Sequence, residues 1–160
     1  MIQKRVAFTT LPAQRVKESF TRNKTKLNRI MNIKDFTRGY ITAALWSSTD
    51  EQGEPLDATH APEDLPQETR ATMESDCQKF FDQCNDDLWE YKEKRALPCP
   101  DIQYTAADCA GHDFWLTRCG HGAGFWDRGL GELGERLTVA SESFGNVELY
   151  TGDDGKIYQL

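Results

Sequence analysis

A chain of 160 residues with 38% hydrophobic content is long enough to fold as one domain around one core, with no disulfide or metal staple. No apolar run approaches the ~20 residues of a membrane span, and no secretory apolar segment follows the N-terminus. Five scattered cysteines argue against a disulfide framework and for a reducing compartment, so a cytoplasmic protein with no membrane contact is expected.

The net charge of −7 conceals two electrostatic regimes. Residues 1–30 carry eight cations (Lys4, Arg5, Arg15, Lys17, Arg22, Lys24, Lys26, Arg29) against the single acid Glu18. Residues 31–160 hold eleven basic and twenty-five acidic residues, a net of −14. The break falls at Met31, which makes 1–30 a basic extension or arm and 31–160 a single α+β domain. As an upstream extension the arm has no role in the fold. As a nucleic-acid-binding arm its eight cations contact phosphate, and an Arg-rich transit peptide is the third reading.

In chain order, Phe36, Tyr40, Ile41, Ala44 and Leu45 form a helical stripe that begins at Ile33 and ends near Ser47. The polar stretch SSTDEQGEPLDATHAPEDL, with Gly53, Pro55 and Pro62, is a long loop. A second helix starts near Pro66 and carries the strongest periodicity in the chain: Met73, Cys77, Phe80, Cys84, Leu88 and Tyr91. It breaks at Ala96-Leu97-Pro98-Cys99-Pro100. A short helical turn over 105–110 follows, with Thr105 and Asp108 as a capping box and Gly111 as its end.

The segments 113–118 and 124–128 then read as strands joined by GHGAG, a hairpin that sets Trp115 opposite Trp126. A third helix carries Leu133, Leu137, Ala140 and Phe144 and stops at Gly145-Asn146. The chain closes with a second hairpin, 147–151 and 156–160, turned by Gly152-Asp153-Asp154-Gly155. The expected fold is therefore N-terminal helices packed on a four-stranded, mainly antiparallel ββαββ sheet.

HDFWLTRCGHGAGFWDRG concentrates the chemistry-bearing residues. Cys109, His112, Cys119 and His121 supply four zinc-type ligands, but one spacer is a single residue, tighter than a metal knuckle, and no metal is expected. His112, Asp113, Cys119 and His121, with Asp127, could supply a nucleophile, a base and an orienting group for a hydrolase if the fold gathers them. GHGAG lacks the Lys-Ser/Thr of a phosphate loop and precedes a strand, so it reads as a turn. No cofactor is implied. Trp115, Phe125, Trp126, Arg118 and Arg128 are the candidates for contacting a partner if one face of the hairpin stays uncovered.

DFTRGYITAALWSSTDEQGEPLD, AGHDFWLTRCGHGAGFWDRG and VELYTGDDGKIY together resemble a family of small phage- and prophage-encoded proteins. The resemblance covers most of 31–160, and members begin near the position of Met31. An asparagine usually stands where this chain has Cys119, a departure that weakens the thiol and zinc readings. The resemblance carries over no catalytic or binding residue. It implies a mobile-element accessory gene expressed in bacterial cytoplasm, whose product modulates a host or defence protein by binding it. The acidic residues between Asp50 and Asp101 fall in a loop and on one helix rather than in a phosphate-like array, which favours a binding protein over a DNA mimic.

Overall fold

Asn32 starts the first helix: its side chain accepts a hydrogen bond from Lys34 N at 3.0 Å, and Asp35 sits in the positive first turn. α1 then runs Ile33–Ser47 with the predicted stripe buried. The structure, a computed structural model, describes residues 31–95 and 104–160. The eight cations of the basic arm and the predicted break at 96–100 lie outside the described residues.

The loop after α1 is tied down locally. Asp50 Oδ1 accepts from Gln52 N and Glu54 N at 2.9 Å each, and the 3₁₀ turn Leu56–Ala58 plugs Leu56 fully into the core. The predicted second helix is two helices, α2 (Gln67–Gln83) and α3 (Asn85–Lys94), which meet at Cys84. All six residues of its stripe are buried, so the break at Cys84 does not turn the apolar face away from the core.

The third segment corrects the expectation. Thr105 and Asp108 do form the capping box, with Asp108 N donating to Thr105 Oγ1 at 3.2 Å and Thr105 N donating to Asp108 Oδ2 at 2.8 Å. The helix they start does not end at Gly111, however. α4 runs Ala106–Arg118, so the predicted strand 113–118 is helical. Residues 113–118 are buried on every side, which removes the amphipathic stripe by which a helix is recognised.

GHGAG supplies positive φ as expected, but to end a helix rather than to turn a hairpin. Gly120 (φ 67°) follows the cap residue Cys119; its N–H bonds to Thr117 O at 3.1 Å, and His121 N–H reaches back to Leu116 O at 2.9 Å. This paired closure is the Schellman motif. The second predicted strand, 124–128, is instead the 3₁₀ turn Phe125–Asp127.

α5 (Glu132–Glu142) buries Leu133 and Leu137 as predicted. The final hairpin is present as β1 (Leu149–Thr151) and β2 (Ile157–Gln159), paired antiparallel with Tyr150 opposite Tyr158. Among the described residues this two-stranded pair is the whole sheet. The four-stranded ββαββ fold is therefore wrong: the described residues are mostly helical. No helix among them is long and apolar enough to cross a membrane.

α4 is the central element, and α1 lies directly on it. At the crossing, a Cβ on Gly111 would be driven into the Phe36 carbonyl, and a Cβ on Gly39 into the Asp108 carbonyl, so backbone touches backbone. That approach lets Phe36 and Tyr40 pack on Phe114, with ring centroids 6.0 and 5.3 Å away, and Tyr40 meet Trp115 edge-on at 5.1 Å. Phe80 of α2 stacks on Phe114 at 4.0 Å and also meets Phe36 at 5.9 Å.

Gly111→Ala tests the crossing by sign. Helix propensity alone would make alanine stabilising by about 1 kcal/mol. Overpacking against fixed backbone costs about 1–3 kcal/mol or more. The expected result is a net loss of at least ~2 kcal/mol in urea unfolding; a gain would mean that the helices are not in contact there.

Candidate functional site: an arginine-floored cleft beside α4

Residues spaced by threes and fours share a helix face. On α1 that spacing aligns Gly39, Thr42 and Trp46; on α4 it brings Asp108, Cys109, His112 and Asp113 to face them. Arg95, the residue that caps α3, and Arg128, which ends the 3₁₀ turn Phe125–Asp127, close the floor. Asp57 and Tyr104 lie at the mouth. The cleft, open to solvent at its mouth, has a volume of about 500 Å³, within the range of small-molecule sites.

Asp113 organises the floor. Its carboxylate is 1% exposed. Tyr91 OH donates to Oδ2 at 2.8 Å, Arg128 Nε lies 3.0 Å from each oxygen, and Arg128 Nη2 bonds to Oδ1 and also to Ala123 O. Arg95 Nε donates to Tyr91 OH at 3.0 Å and stands 4.0 Å from Asp113 Oδ2. His112 Nδ1 is 3.8 Å from Oδ1, ion-pair range rather than hydrogen-bond range. Burial pushes the Asp113 carboxyl up, but His112, Arg128 and Tyr91 outweigh it and hold it below the usual carboxylate range. It is therefore ionised at neutral pH.

Asp108 is neutralised separately. Arg38 grips both its oxygens at 2.8 Å, and Thr105 donates to it from N and Oγ1. The floor thus sets two largely buried guanidinium groups, Arg95 (18% exposed) and Arg128 (19%), against one buried carboxylate. Above it, Trp46 is 55% exposed and lies 5.9 Å from His112, its ring tilted by 31°, while Tyr104 is 48% exposed.

Of the predicted catalytic set, the structure brings His112 and Asp113 together and leaves the rest apart. Cys119 caps α4 seven residues on from His112, ~10 Å along the axis by helical rise. Its thiol donates to Val147 O at 3.5 Å, and burial pushes its pKa up, so it stays protonated. His121 lies beyond the helix end and is held by its backbone to Leu116. Cys109 shares the cleft face, but burial raises its thiol too. Cys109, His112, Cys119 and His121 are not brought together: among the described residues no three His, Cys, Asp or Glu side chains gather as a metal cluster.

The partner-contact set also needs correction. Trp115 is fully buried, with Nε1 donating to Ser47 Oγ at 2.8 Å, and Phe125 is fully buried beside Tyr91. Arg118 is buried too, donating to Tyr40 OH, Asp76, Phe144 O and Gly145 O. Only Trp126 of that set is openly exposed, and Arg128 belongs to the cleft. Sequence reasoning missed Trp46, Tyr104 and Arg95. A large aromatic at Trp46, off the apolar stripe of α1, was the readable signal.

Comparison with protein-family models, with curated proteins and with solved structures returned no match.

The Asp113 network predicts an acid-dependent stability. An unfolded aspartate titrates near ~3.9, and the folded value is lower. The stabilisation is complete above the unfolded value and is lost as pH falls through the folded one. Asp113→Asn, which leaves Arg128 without its carboxylate, should cost about 3 kcal/mol at pH 7. In urea titrations the gap between the two proteins should narrow as pH drops below ~4; a gap independent of pH would mean that the carboxylate charge contributes nothing.

Proposed function

We propose that this is a small acidic binding protein of a phage or other mobile element, and that the cleft beside α4 is its recognition site. In this reading it modulates a host or defence factor in the bacterial cytoplasm without catalysing a reaction. The observation that carries the reading is a division of labour in the cleft: the carboxylate of its floor, Asp113, is locked by hydrogen bonds, while its aromatic rim is open.

A general base needs a lone pair within reach of a substrate proton, and a nucleophile needs a base beside it. Asp113 is buried and already accepts from Tyr91 and Arg128, so it positions the arginines rather than moving protons. Recognition instead calls for exposed rings above oriented donors, which Trp46 and Tyr104 provide over Arg95 and Arg128. A hydrolase reading is supported by one contact, His112 beside Asp113, and the thiol that shares their face, Cys109, is pushed up by burial and so is not an activated nucleophile.

The test is affinity capture from a bacterial host with the wild-type protein and Trp46→Ala, followed by mass spectrometry of proteins and small molecules. Trp46 is exposed, so its substitution should change stability by under ~0.5 kcal/mol. The expected result is a bound species that Trp46→Ala loses. Equal capture by both proteins would move recognition elsewhere, and turnover abolished by His112→Ala would make the protein an enzyme.

A further inference from the structure

The floor of the cleft has hydrogen-bond donors to spare. Arg95 uses Nε on Tyr91, and neither of its Nη groups has a partner among the described residues. Arg128 commits Nε and Nη2 to Asp113 and Ala123 O, and its Nη1 has no partner there either. Asp113 balances only one of the two guanidinium charges. Asp108 is held by Arg38, and Asp57 is an exposed acid at the mouth. On the floor itself two guanidinium groups thus face one buried carboxylate, with Asp57 at the mouth and Asp127 beside Arg128 as further acids, and the unused N–H groups are donors that an anion could take up.

The wall beside those donors is aromatic. The exposed Trp46 ring offers a flat face next to His112. Stacking of a flat ring on such a side chain is worth roughly 5- to 100-fold in affinity. A long polyanion would be repelled by the acidic exterior, whereas a ligand that fits inside ~500 Å³ meets the two guanidinium groups of the floor at close range.

We propose that the cleft binds a small, singly charged anion joined to a flat ring, its charge on Arg95 and Arg128 and its ring against Trp46. Two ligand types share that chemistry: a cyclic nucleotide, whose phosphodiester carries one charge, and an aromatic carboxylate. The proposal rests on the reading of this cleft as the recognition site and specifies what enters it.

The experiment has two arms, both on the full chain. In the first, iodide and caesium quench the fluorescence of the wild type and Trp46→Phe, so that the difference isolates Trp46. Iodide should quench Trp46 more efficiently than caesium despite the acidic body, and Arg95→Met should reverse the order. Stronger quenching by caesium in the wild type overturns the anion site.

The second arm is calorimetry with 3′,5′-cyclic AMP, indole-3-acetate and uncharged adenosine. One of the two anions should bind with a Kd below ~100 μM and adenosine at least ~10-fold more weakly. Arg95→Met should abolish that binding, while Arg95→Lys, which keeps the charge without the planar fork, should retain part of it. Which anion binds identifies the source. Failure of both anions, or equal binding of adenosine, overturns the ligand class. If Trp46→Ala still loses the captured species in that case, the recognition-site reading stands and only the ligand class falls.

Discussion

The absence of two side chains, at Gly39 and Gly111, sets how closely α1 and α4 approach, and most of the molecule follows from that distance. With backbone on backbone, Phe36 and Tyr40 reach Phe114 and Trp115, and Phe80 closes the stack from α2. The same approach fixes the width of the cleft, because Gly39 is part of its wall and Trp46 is carried two turns further along the same helix. Core and candidate site therefore share one geometric constraint. A methyl group at the crossing would disturb both, since packed interiors relax only partly around an insertion.

A helix can bury polar residues only if each buried one is partnered. α4 meets that condition in two directions. Asp113 turns toward α3 and the cleft, where Tyr91 and Arg128 satisfy it. Arg118, five residues on, turns toward α1, α2 and the end of α5. Between them Thr117 donates to Asp113 O and accepts from Phe125 N, which fastens the 3₁₀ turn to the helix. That turn in turn delivers Arg128 to the cleft.

Where burial was one-sided, the elements were legible in the sequence. The stripes of α1 and of α2–α3, the apolar residues of α5 and the turn of the last hairpin all read correctly, because solvent on one face preserves the period. α4 was misread for the opposite reason. Phe114, Trp115 and Leu116 are consecutive and all buried, so no period survives, and glycines at 111 and 120 resembled boundaries of a strand pair. Gly111 is a point of contact and Gly120 a helix cap; composition alone does not separate those roles. His112, Asp113 and Arg128 were singled out, but Arg95, Trp46 and Tyr104 come from distant elements and meet them only through the fold.

Arg118 bears on how the chain folds as well as on what it becomes. Its guanidinium donates to Tyr40, 78 residues away in sequence, to Asp76, 42 away, and to the carbonyls of Gly145 and Phe144, 27 and 26 away. No local fragment contains that set. A partly assembled chain would hold a desolvated cation with donors unmet, so intermediates lacking any one of α1, α2 or the end of α5 are penalised. The side chain thus acts as a coincidence detector for native topology, favouring all-or-none folding over stepwise accretion of helices.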